Sequence, residues 1–300
     1  MSTYPIVSII IPTYNHAHFL KEALRSLCDQ TFSDWEAIII NNYSEDDTVA
    51  VVASFADSRI VLENFHNNGI IGASRNKGIS LARGKYLAFL DSDDIWYPEK
   101  LAKCIAVFSE DVTLVCHGLR WIGDEERDVF CGPEQRATFD ALLYQGNCIT
   151  PTATVVRKDK VELVGCFSED PAIVTAEDYH LWIKLAQAGS KMCFLREILG
   201  GYRIHSGNQS GSVLRHFNAG LRVIDEFFPG EGSRNWMAGL RIKRRYCIAY
   251  YGAGRAMQRS EQVAKSWSLL FRSIMYWPFF IKSYAAIILS LVAVARRWGK

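Results

Sequence analysis

Three carboxylates within four positions follow an apolar run in the N-terminal third of the chain. The run Tyr86–Leu90 leads directly into Asp91, Ser92, Asp93 and Asp94. Side chains two positions apart on extended backbone point the same way, so Asp91 and Asp93 converge. Converging carboxylates repel each other unless a cation lies beside them. Oxygen ligands suit Mg²⁺ or Mn²⁺, which pair readily with diphosphates. The spacing therefore predicts a site for a divalent cation and a diphosphate.

The position of these acids relative to their strand supports that interpretation. Leu87–Leu90 is short, continuous and apolar, which is typical of a strand buried on both faces. Acids at the carboxyl end of such a strand lie at the sheet rim, where open α/β folds bind ligands. The alternative is a solvated loop in which Asp94 caps a helix that begins near Pro98. Trp96 and Tyr97 either stack on a sugar or pack in the core.

A second acidic pair, Glu177 and Asp178, lies in the first turn of a helix indicated by the apolar spacing of residues 181–186. Acids at this position can also simply complement the helix dipole. Six histidines, His16 among them, lack a spacing typical of metal ligands.

The elements that must position these acids alternate between strands and helices. Apolar patterning predicts strands over 7–11, 35–40, 60–62 and 87–90, and helices over 18–30 and 48–55. Residues 69–82 are predicted to run from a glycine-containing loop into a third helix. Four strand–helix units predict a doubly wound, parallel sheet whose polar loops gather along one edge. Further along, the pattern predicts a helix over 101–108, strands over 112–116, 149–156, 191–195 and 198–202, and an irregular stretch over 118–148 with a short helix near 139–144.

Composition excludes several classes of protein. The net charge is +2, but residues 1–210 carry −9 and residues 211–300 carry +11, which does not resemble a nucleic-acid binder. The eight cysteines form no C-x-x-C pair, which argues against a disulfide framework or a zinc site. No G-x-G-x-x-G follows the first strand and no P-loop motif is present. The N-terminus shows no signal-peptide pattern, so we expect a cytoplasmic protein.

The C-terminal region is both basic and apolar. Patterning predicts helices over 214–228 and 236–257, followed by an apolar run over 274–295 that Pro278 and Lys282 interrupt. Aromatic residues in this run and the cations Arg296, Arg297 and Lys300 predict an interfacial or shallowly inserted membrane element. The alternatives are a helix packed on the protein or in a dimer interface, and, less favoured, a single membrane span.

Taken together, the motifs resemble those of the inverting GT-A glycosyltransferases called family 2. The resemblance covers residues 5–210 and is carried by Val7–Asn15, Gly72–Gly78, Asp91–Asp94, Glu177–Tyr179 and Tyr202–His205. It implies a GT-A fold, which is an α/β fold with a Rossmann-like, mostly parallel sheet, followed here by a helical tail. Residues 1–210 would form the catalytic domain, with 1–117 as the nucleotide-sugar half and 118–210 as the acceptor half. Residues 211–300 would form the helical, membrane-associated region.

The resemblance also implies a nucleotide-sugar site. Pro12 and Tyr14 would lie against the nucleobase, and Arg75 would approach the base or the diphosphate. Asn42 occupies the loop that binds uracil in the family. This loop, Asn41–Asp46, departs from the family pattern Asp-Asp-Gly-Ser-x-Asp. Asparagine can still pair with a base edge, but the departure leaves a catalytically silent nucleotide-sugar or carbohydrate-binding protein as the alternative.

The remaining roles implied by the resemblance concern the metal and the reaction. Asp91 would hold the ribose region and, with Asp93, the metal; His205 would touch the metal or the diphosphate. Asp178 would be the catalytic base, with Glu177 as its catalytic neighbour. Each of these residue types suits its role, because a carboxylate can hold a cation or take a proton.

The expected activity is that of a hexosyltransferase dependent on Mn²⁺ or Mg²⁺. It would move a hexose from a UDP-sugar to a hydroxyl of a saccharide acceptor, giving a β-linkage. The acceptor would be a polyprenyl-diphosphate saccharide of surface polysaccharide or O-antigen synthesis. The enzyme would work at the inner face of the cell membrane. A nucleotidyltransferase ranks last, because the loop after the first strand lacks glycines and arginine.

Overall fold

The computed structural model describes residues 4–123, 126–205, 213–228 and 236–298. The chain forms two compact units, one of residues 1–142 and 147–208 and the other of residues 143–146 and 209–300. Lys300 lies outside the described residues, as do the side chains of Arg296 and Arg297.

The described residues of the first unit form one mixed sheet of nine strands. Strand β7 pairs with β6, and the others follow the order β3-β2-β1-β4-β8-β6-β9-β5. The strands are β1 (Val7–Thr13), β2 (Trp35–Asn41), β3 (Ile60–Asn64), β4 (Tyr86–Phe89), β5 (Ile95–Trp96), β6 (Val112–Ile122), β7 (Arg127–Val129), β8 (Thr154–Arg157) and β9 (Lys191–Arg203). Strands β1 to β4 are parallel, as predicted. Strand β8 then runs antiparallel to both β4 and β6.

In the described part of the chain before β9 there are seven helices, of which α5 has residues in both units. They are α1 (Ala17–Cys28), α2 (Thr48–Ala53), α3 (Ile71–Leu81), α4 (Lys100–Val107), α5 (Phe139–Gln145), α6 (Lys158–Leu163) and α7 (Glu177–Gln187). Strands β1 and β2 are buried along their whole length, which matches their continuous apolar sequence. The polar turns after β1, β2 and β4 therefore lie at one edge of the parallel half of the sheet, where the site forms.

Three sequence predictions in the second half of the sheet were wrong. The two strands predicted over 191–195 and 198–202 are one strand, β9, whose pairing with β6 contains register shifts. The stretch predicted as irregular contains the end of β6 and all of β7. The strand predicted over 149–156 is ordered as β8 only from Thr154, after a short 3₁₀ turn over Pro151–Ala153. Bulges and short turns such as these break the period that reveals a strand.

The second unit is helical. Its helices are α8 (Val213–Phe227), α9 (Trp236–Arg259), α10 (Val263–Tyr276) and α11 (Ile281–Trp298). The predictions for α8 and α9 are confirmed within two residues at each end. The apolar run over 274–295 is divided between α10 and α11 by a turn that contains Pro278. Within the described residues, no helix has the length and apolar character needed to cross a bilayer.

Two glycines let α3 approach its neighbours closely. A Cβ added to Gly78 would lie 2.5 Å from Cγ2 of Ile10 in β1, and one added to Gly72 would lie 2.5 Å from the backbone oxygen of Ser168. Real Cβ atoms do not come so close to other heavy atoms, so these positions admit only glycine without a backbone shift. The close approach of α3 to the sheet brings Arg75, between the two glycines, toward the carboxyl end of β4.

We expect Gly78→Ala to lower the free energy of unfolding by about 1–3 kcal/mol, because the added methyl overpacks the contact with Ile10. Urea denaturation followed by tryptophan fluorescence measures the change. Gly220→Ala is the matched control, since this helical glycine has no atom within 4 Å of an added Cβ. The control should gain up to about 1 kcal/mol from helix propensity. Equal stability of Gly78→Ala and the natural protein would contradict the packing argument.

Candidate active site

One buried guanidinium joins the two acidic clusters that the sequence places far apart. Arg75 is 3% exposed; its Nη1 lies 2.6 Å from Oε1 of Glu177 and its Nη2 lies 2.9 Å from Oδ1 of Asp91. Burial alone would lower the pKa of Arg75, but Asp91 and Glu177 more than offset it and raise that pKa. The start of α7 is thereby fastened to the end of β4 through α3.

Asp178, in the first turn of α7, has the environment of a group that exchanges a proton near neutral pH. Asn147 donates a hydrogen bond from Nδ2 to Oδ2 of Asp178 at 3.2 Å. Burial, followed by repulsion from Glu177, raises the pKa of Asp178 to about 7, while Arg75 acts in the opposite direction. An acid with this pKa is well matched to proton transfer at physiological pH.

Asp93 lies against a histidine from the other half of the sheet. Nε2 of His205, two residues beyond β9, is 3.0 Å from Oδ2 of Asp93. Burial and repulsion from Asp91 raise the pKa of Asp93, and the hydrogen bond to His205 acts against this rise. Residues 91–94 form a turn, in which the backbone N–H of Asp94 donates to the oxygen of Asp91 at 3.0 Å, and not the extended backbone on which the sequence prediction of converging side chains was based.

Asp94 points into the protein and does not cap a helix. Its Oδ2 accepts a hydrogen bond from Oγ1 of Thr152 at 2.5 Å, and its Oδ1 accepts one from the backbone N–H of Arg203 at 2.8 Å. Burial raises the pKa of Asp94 well above its ordinary value. The helix-cap alternative is wrong, since α4 begins at Lys100 after Glu99. Asp94 instead fastens the carboxylate loop to the end of β9.

The aromatic residues after the carboxylates do not both face solvent. Trp96 is 2% exposed and donates from Nε1 to the backbone oxygen of Thr152 at 2.8 Å. Of the two interpretations left open by the sequence, core packing is the correct one for Trp96.

The turns after β1 and β2 hold each other in place. Asn15 has a positive φ of 53°. Its backbone N–H donates to Oγ of Ser44, and its Oδ1 accepts from the backbone N–H of Glu45. Pro12 is buried at the end of β1, whereas Tyr14 in the turn is 52% exposed. This arrangement leaves the Tyr14 ring accessible beside the loop that contains Asn42.

The two asparagines that depart from the family pattern form hydrogen bonds with β3 and with the loop after it. Asn41 is buried and donates from Nδ2 to Oδ1 of Asn64 in β3. Oδ1 of Asn42 accepts from the backbone N–H of Asn67 at 3.0 Å. The amides therefore order the loops after β2 and β3.

Sequence reasoning missed two residues next to the acids. His16 lies with Nδ1 3.0 Å from Oγ of Ser92, and its ring centroid is 5.8 Å from that of His205. Asn147 lies in the stretch predicted to be irregular. The signal for His16 was its place in the turn after the first strand. Asn147 gave no signal, because its contact with Asp178 depends entirely on the fold.

Asp91, Asp93 and His205 are the side chains of this site that could hold a divalent cation. Among the described residues, no three His, Cys, Asp or Glu side chains are gathered in a metal-binding arrangement. The donor set nevertheless fits a hard or borderline ion, because Asp91 and Asp93 repel each other and His205 adjoins Asp93. A cation beside them would offset this repulsion.

We expect Arg75→Met to cost about 3–5 kcal/mol of unfolding free energy, because it leaves Glu177 buried without its cation. Urea denaturation measures the loss. Adding Glu177→Gln to Arg75→Met should restore part of it. The control is Arg120→Met, which removes an exposed ion pair with Asp128 and should cost less than about 1 kcal/mol. The ion-pair argument fails if the two single variants are equally stable.

Asp178→Asn should stabilise the protein increasingly as pH rises. The pKa of Asp178 is about 7 when folded, against an ordinary value of 3.8. Unfolding therefore releases a proton between these pH values, and the natural protein loses stability as pH rises through them. One pKa unit corresponds to about 1.4 kcal/mol, so the gain of the variant approaches at most about 4 kcal/mol above pH 7.

Urea denaturation at several pH values from 4 to 8 measures this difference between Asp178→Asn and the natural protein. Asp47→Asn, at an exposed position, serves as control and should change the free energy of unfolding by less than about 0.5 kcal/mol. A difference for Asp178→Asn that does not change with pH would contradict the raised pKa.

Comparison with known proteins identifies the family of the chain. The model of Glycosyl transferase family 2 matches residues 8–164. The Escherichia coli protein WfgD, "UDP-Glc:alpha-D-GlcNAc-diphosphoundecaprenol beta-1,3-glucosyltransferase", is 37% identical over 226 residues, covering 74% of this chain and 86% of WfgD. WfaP of Escherichia coli, with the same named activity, is 30% identical over 253 residues, covering 82% of this chain and 92% of WfaP.

Solved structures share the fold at lower identity. S. aureus TarS 1-349 in complex with UDP-GlcNAc superposes with a TM-score of 0.67 at 18% identity, covering 98% of this chain and 92% of that one. PcManGT from Pyrobaculum calidifontis, a mannosyltransferase in complex with GDP-Man and Mn²⁺, gives a TM-score of 0.54 at 16% identity, covering 97% and 76%. Because the family model matches more than half of the sequence, the chain belongs to glycosyl transferase family 2 and is a glycosyltransferase with a GT-A fold.

Proposed function

We propose that the protein transfers a hexose from a UDP-sugar to a hydroxyl of a lipid-diphosphate-linked saccharide, with inversion at the anomeric carbon, in bacterial surface polysaccharide or O-antigen synthesis. One observation carries the proposal: Arg75 pairs with both Asp91 and Glu177, so that Asp178 lies close to the acids at the end of β4. Asp178, which is suited to accept a proton, is thus held near Asp91 and Asp93, which are suited to bind a cation together with a diphosphate.

Asp178 is the proposed catalytic base. It takes the proton of the acceptor hydroxyl as the acceptor oxygen forms a bond to the anomeric carbon. The bond from that carbon to the diphosphate oxygen breaks in the same step, and its electron pair leaves with the UDP. Attack on the face opposite the leaving group converts an α-linked donor into a β-linked product. Proton removal in the transition state is worth roughly 10²–10⁴-fold in rate.

Glu177 acts in this proposal as a positioning residue. Its Oε1 accepts from Arg75, and its Oε2 accepts from the backbone N–H of Thr175 at 2.8 Å. Both oxygens are engaged, so the side chain holds the first turn of α7 in place. Its negative charge also raises the pKa of Asp178 and keeps the base near neutrality.

The nucleotide portion of the site is proposed to lie beside the turns after β1 and β2. Pro12 and Tyr14 would contact the base, and Asn42 would present its amide to a base edge. The resemblance implies that Arg75 approaches the base or the diphosphate, but its ion pairs with the acids Asp91 and Glu177 support a different role. We therefore assign it to positioning the acids. Binding of UDP by TarS supports the choice of uracil.

Asp91, Asp93 and His205 would hold the divalent cation, Mn²⁺ or Mg²⁺. When bound, such an ion offsets the negative charge that develops on the departing diphosphate. The Mn²⁺ in the PcManGT complex supports metal use in this fold. His16, close to His205 and Ser92, would orient the carboxylate loop rather than bind the ion.

The nature of donor and acceptor rests on the relatives. WfgD and WfaP are named for UDP-glucose as donor and for GlcNAc-diphosphoundecaprenol as acceptor. The first compounds to test are therefore UDP-glucose and a lipid-diphosphate GlcNAc, followed by UDP-galactose and UDP-N-acetylhexosamines.

We expect Asp178→Asn and Asp93→Ala to lower kcat/KM for UDP release by at least about 10²-fold, because they remove the base and a proposed cation ligand. Activity should vanish in EDTA and return with Mn²⁺. For the natural protein, log kcat/KM should rise with pH up to about 7 and then level off, since Asp178 acts when ionised. The control, Asp128→Asn, alters an exposed ion pair and should keep full activity.

Full activity in Asp178→Asn would remove the base from the mechanism. UDP binding without turnover on any donor–acceptor pair would favour the alternative, a catalytically silent nucleotide-sugar-binding protein, for which the altered Asn41–Asp46 loop is the supporting feature.

A further inference from the structure

Helix α11 buries small residues, two of them serines, and exposes aliphatic ones, which is the reverse of the usual arrangement in a helix on the surface of a water-soluble protein. Over residues 281–291, where side chains are described, its buried positions are the small residues Ser283, Ala286 and Ser290. Its exposed positions include Ile288 and Leu289, at 59% and 60% exposure. A helix on a protein surface normally buries its large apolar residues and exposes its polar ones. The outer face of α11 is therefore suited to a non-aqueous environment.

Hydrogen bonds fix this orientation. The Ser273 hydroxyl on α10 donates to the backbone oxygen of Cys247 and lies 2.8 Å from Oγ of Ser283. Gln258 on α9 donates from Nε2 to the backbone oxygen of Ala286 at 2.8 Å, and also to the hydroxyl of Ser290. Rotating α11 to bury its aliphatic side chains would leave these polar groups without their partners, at a cost of about 1–3 kcal/mol for each buried group.

The apolar exposure continues through α10 and the turn before α11. Met275 and Phe279 are 82% and 83% exposed, and Phe271 and Ile281 are also exposed. Large apolar patches on a protein surface mark a site of interaction with a protein or a membrane. We define the apolar face as these residues with Ile288 and Leu289.

The positive charge of this region favours a membrane over another protein chain as the partner of the apolar face. From Val263 to Lys300 the sequence contains no Asp or Glu, but six Lys or Arg. Three of these, Lys265, Arg272 and Lys282, are exposed on α10 and α11. A second copy of the chain would bring like charges together across the face, whereas anionic lipid headgroups complement them.

We propose that the apolar face docks on an anionic lipid bilayer, with its aliphatic and aromatic side chains in the interfacial region and its lysine and arginine side chains among the headgroups. Helix α11 lies along the surface in this arrangement, since small polar residues fill its other side and a large apolar face with flanking cations is typical of interfacial helices. The inference is independent of the sugar chemistry, but it suits an acceptor carried on a lipid.

Co-sedimentation of the full chain with vesicles tests the proposal. Vesicles of phosphatidylcholine with phosphatidylglycerol should bind the natural protein at least tenfold more tightly than phosphatidylcholine alone. The double variant Ile288→Ser/Leu289→Ser should weaken binding at least tenfold, and Arg272→Glu/Lys282→Glu should remove the preference for the anionic lipid. Leu163→Ser is the matched control, because Leu163 is 74% exposed in the first unit, and it should bind like the natural protein.

Failure of the natural protein to sediment with anionic vesicles, or equal binding by the apolar double variant, would overturn the proposal. Sedimentation velocity supplies a second readout. A concentration-dependent dimer that Ile288→Ser/Leu289→Ser dissociates, without vesicle binding, would assign the face to a second copy and equally overturn it. UDP release with a water-soluble acceptor should be unchanged in these variants, so a failure of the membrane proposal stays distinguishable from a failure of the transferase proposal.

Discussion

The candidate site depends on one buried guanidinium that is shared by two acids far apart in the sequence. Arg75 pairs with Asp91 after β4 and with Glu177 at the start of α7. Burying a guanidinium costs several kcal/mol, and only short, well-directed contacts with carboxylates repay that cost. The same contacts fix the distance between the helix that carries Asp178 and the turn that carries Asp91 after β4. An arginine in this place gives the acids a defined geometry before any substrate arrives.

The charge balance around that cation accounts for the behaviour of Asp178. One positive guanidinium faces Asp91 and Glu177 and lies near Asp178. One positive charge cannot balance the negative charges of three carboxylates, so burial and the charge of Glu177 raise the pKa of Asp178 to about 7. When two neighbouring carboxyl groups have different environments, their pKa values differ, and one of them can exchange a proton near neutral pH. In the proposed reaction, Glu177 therefore acts through the pKa of Asp178, although both of its oxygens are bound by the protein.

Local pattern was enough to predict the parallel half of the fold and its acidic rim. The strands β1 to β4 are continuous apolar runs, and the acids follow directly after the last of them. The extended backbone expected for Asp91 and Asp93 was wrong, because residues 91–94 form a turn in which the backbone N–H of Asp94 donates to the oxygen of Asp91. Contacts between distant residues were not predictable in this way. Arg75 and Glu177 are separated by 102 positions, and Asp94 and Arg203 by 109. The irregular pairing of β9 with β6 likewise has no period in the sequence, so one bent strand resembled two short ones.

In the C-terminal unit, the sequence pattern predicts an apolar helical segment but does not determine which side of the helix is buried. An apolar run with serines at Ser283 and Ser290 has one small polar side and one aliphatic side, and either can face inward. Which side does so depends on partners on other helices, here Gln258 and Ser273, which satisfy the serines. The serine hydroxyls are buried because they form hydrogen bonds with other helices, and the opposite side of α11, which carries the aliphatic side chains, is therefore exposed. Those side chains are more stable in apolar surroundings than in water. The absence of acidic residues beyond Val263 then selects a negatively charged surface as that environment.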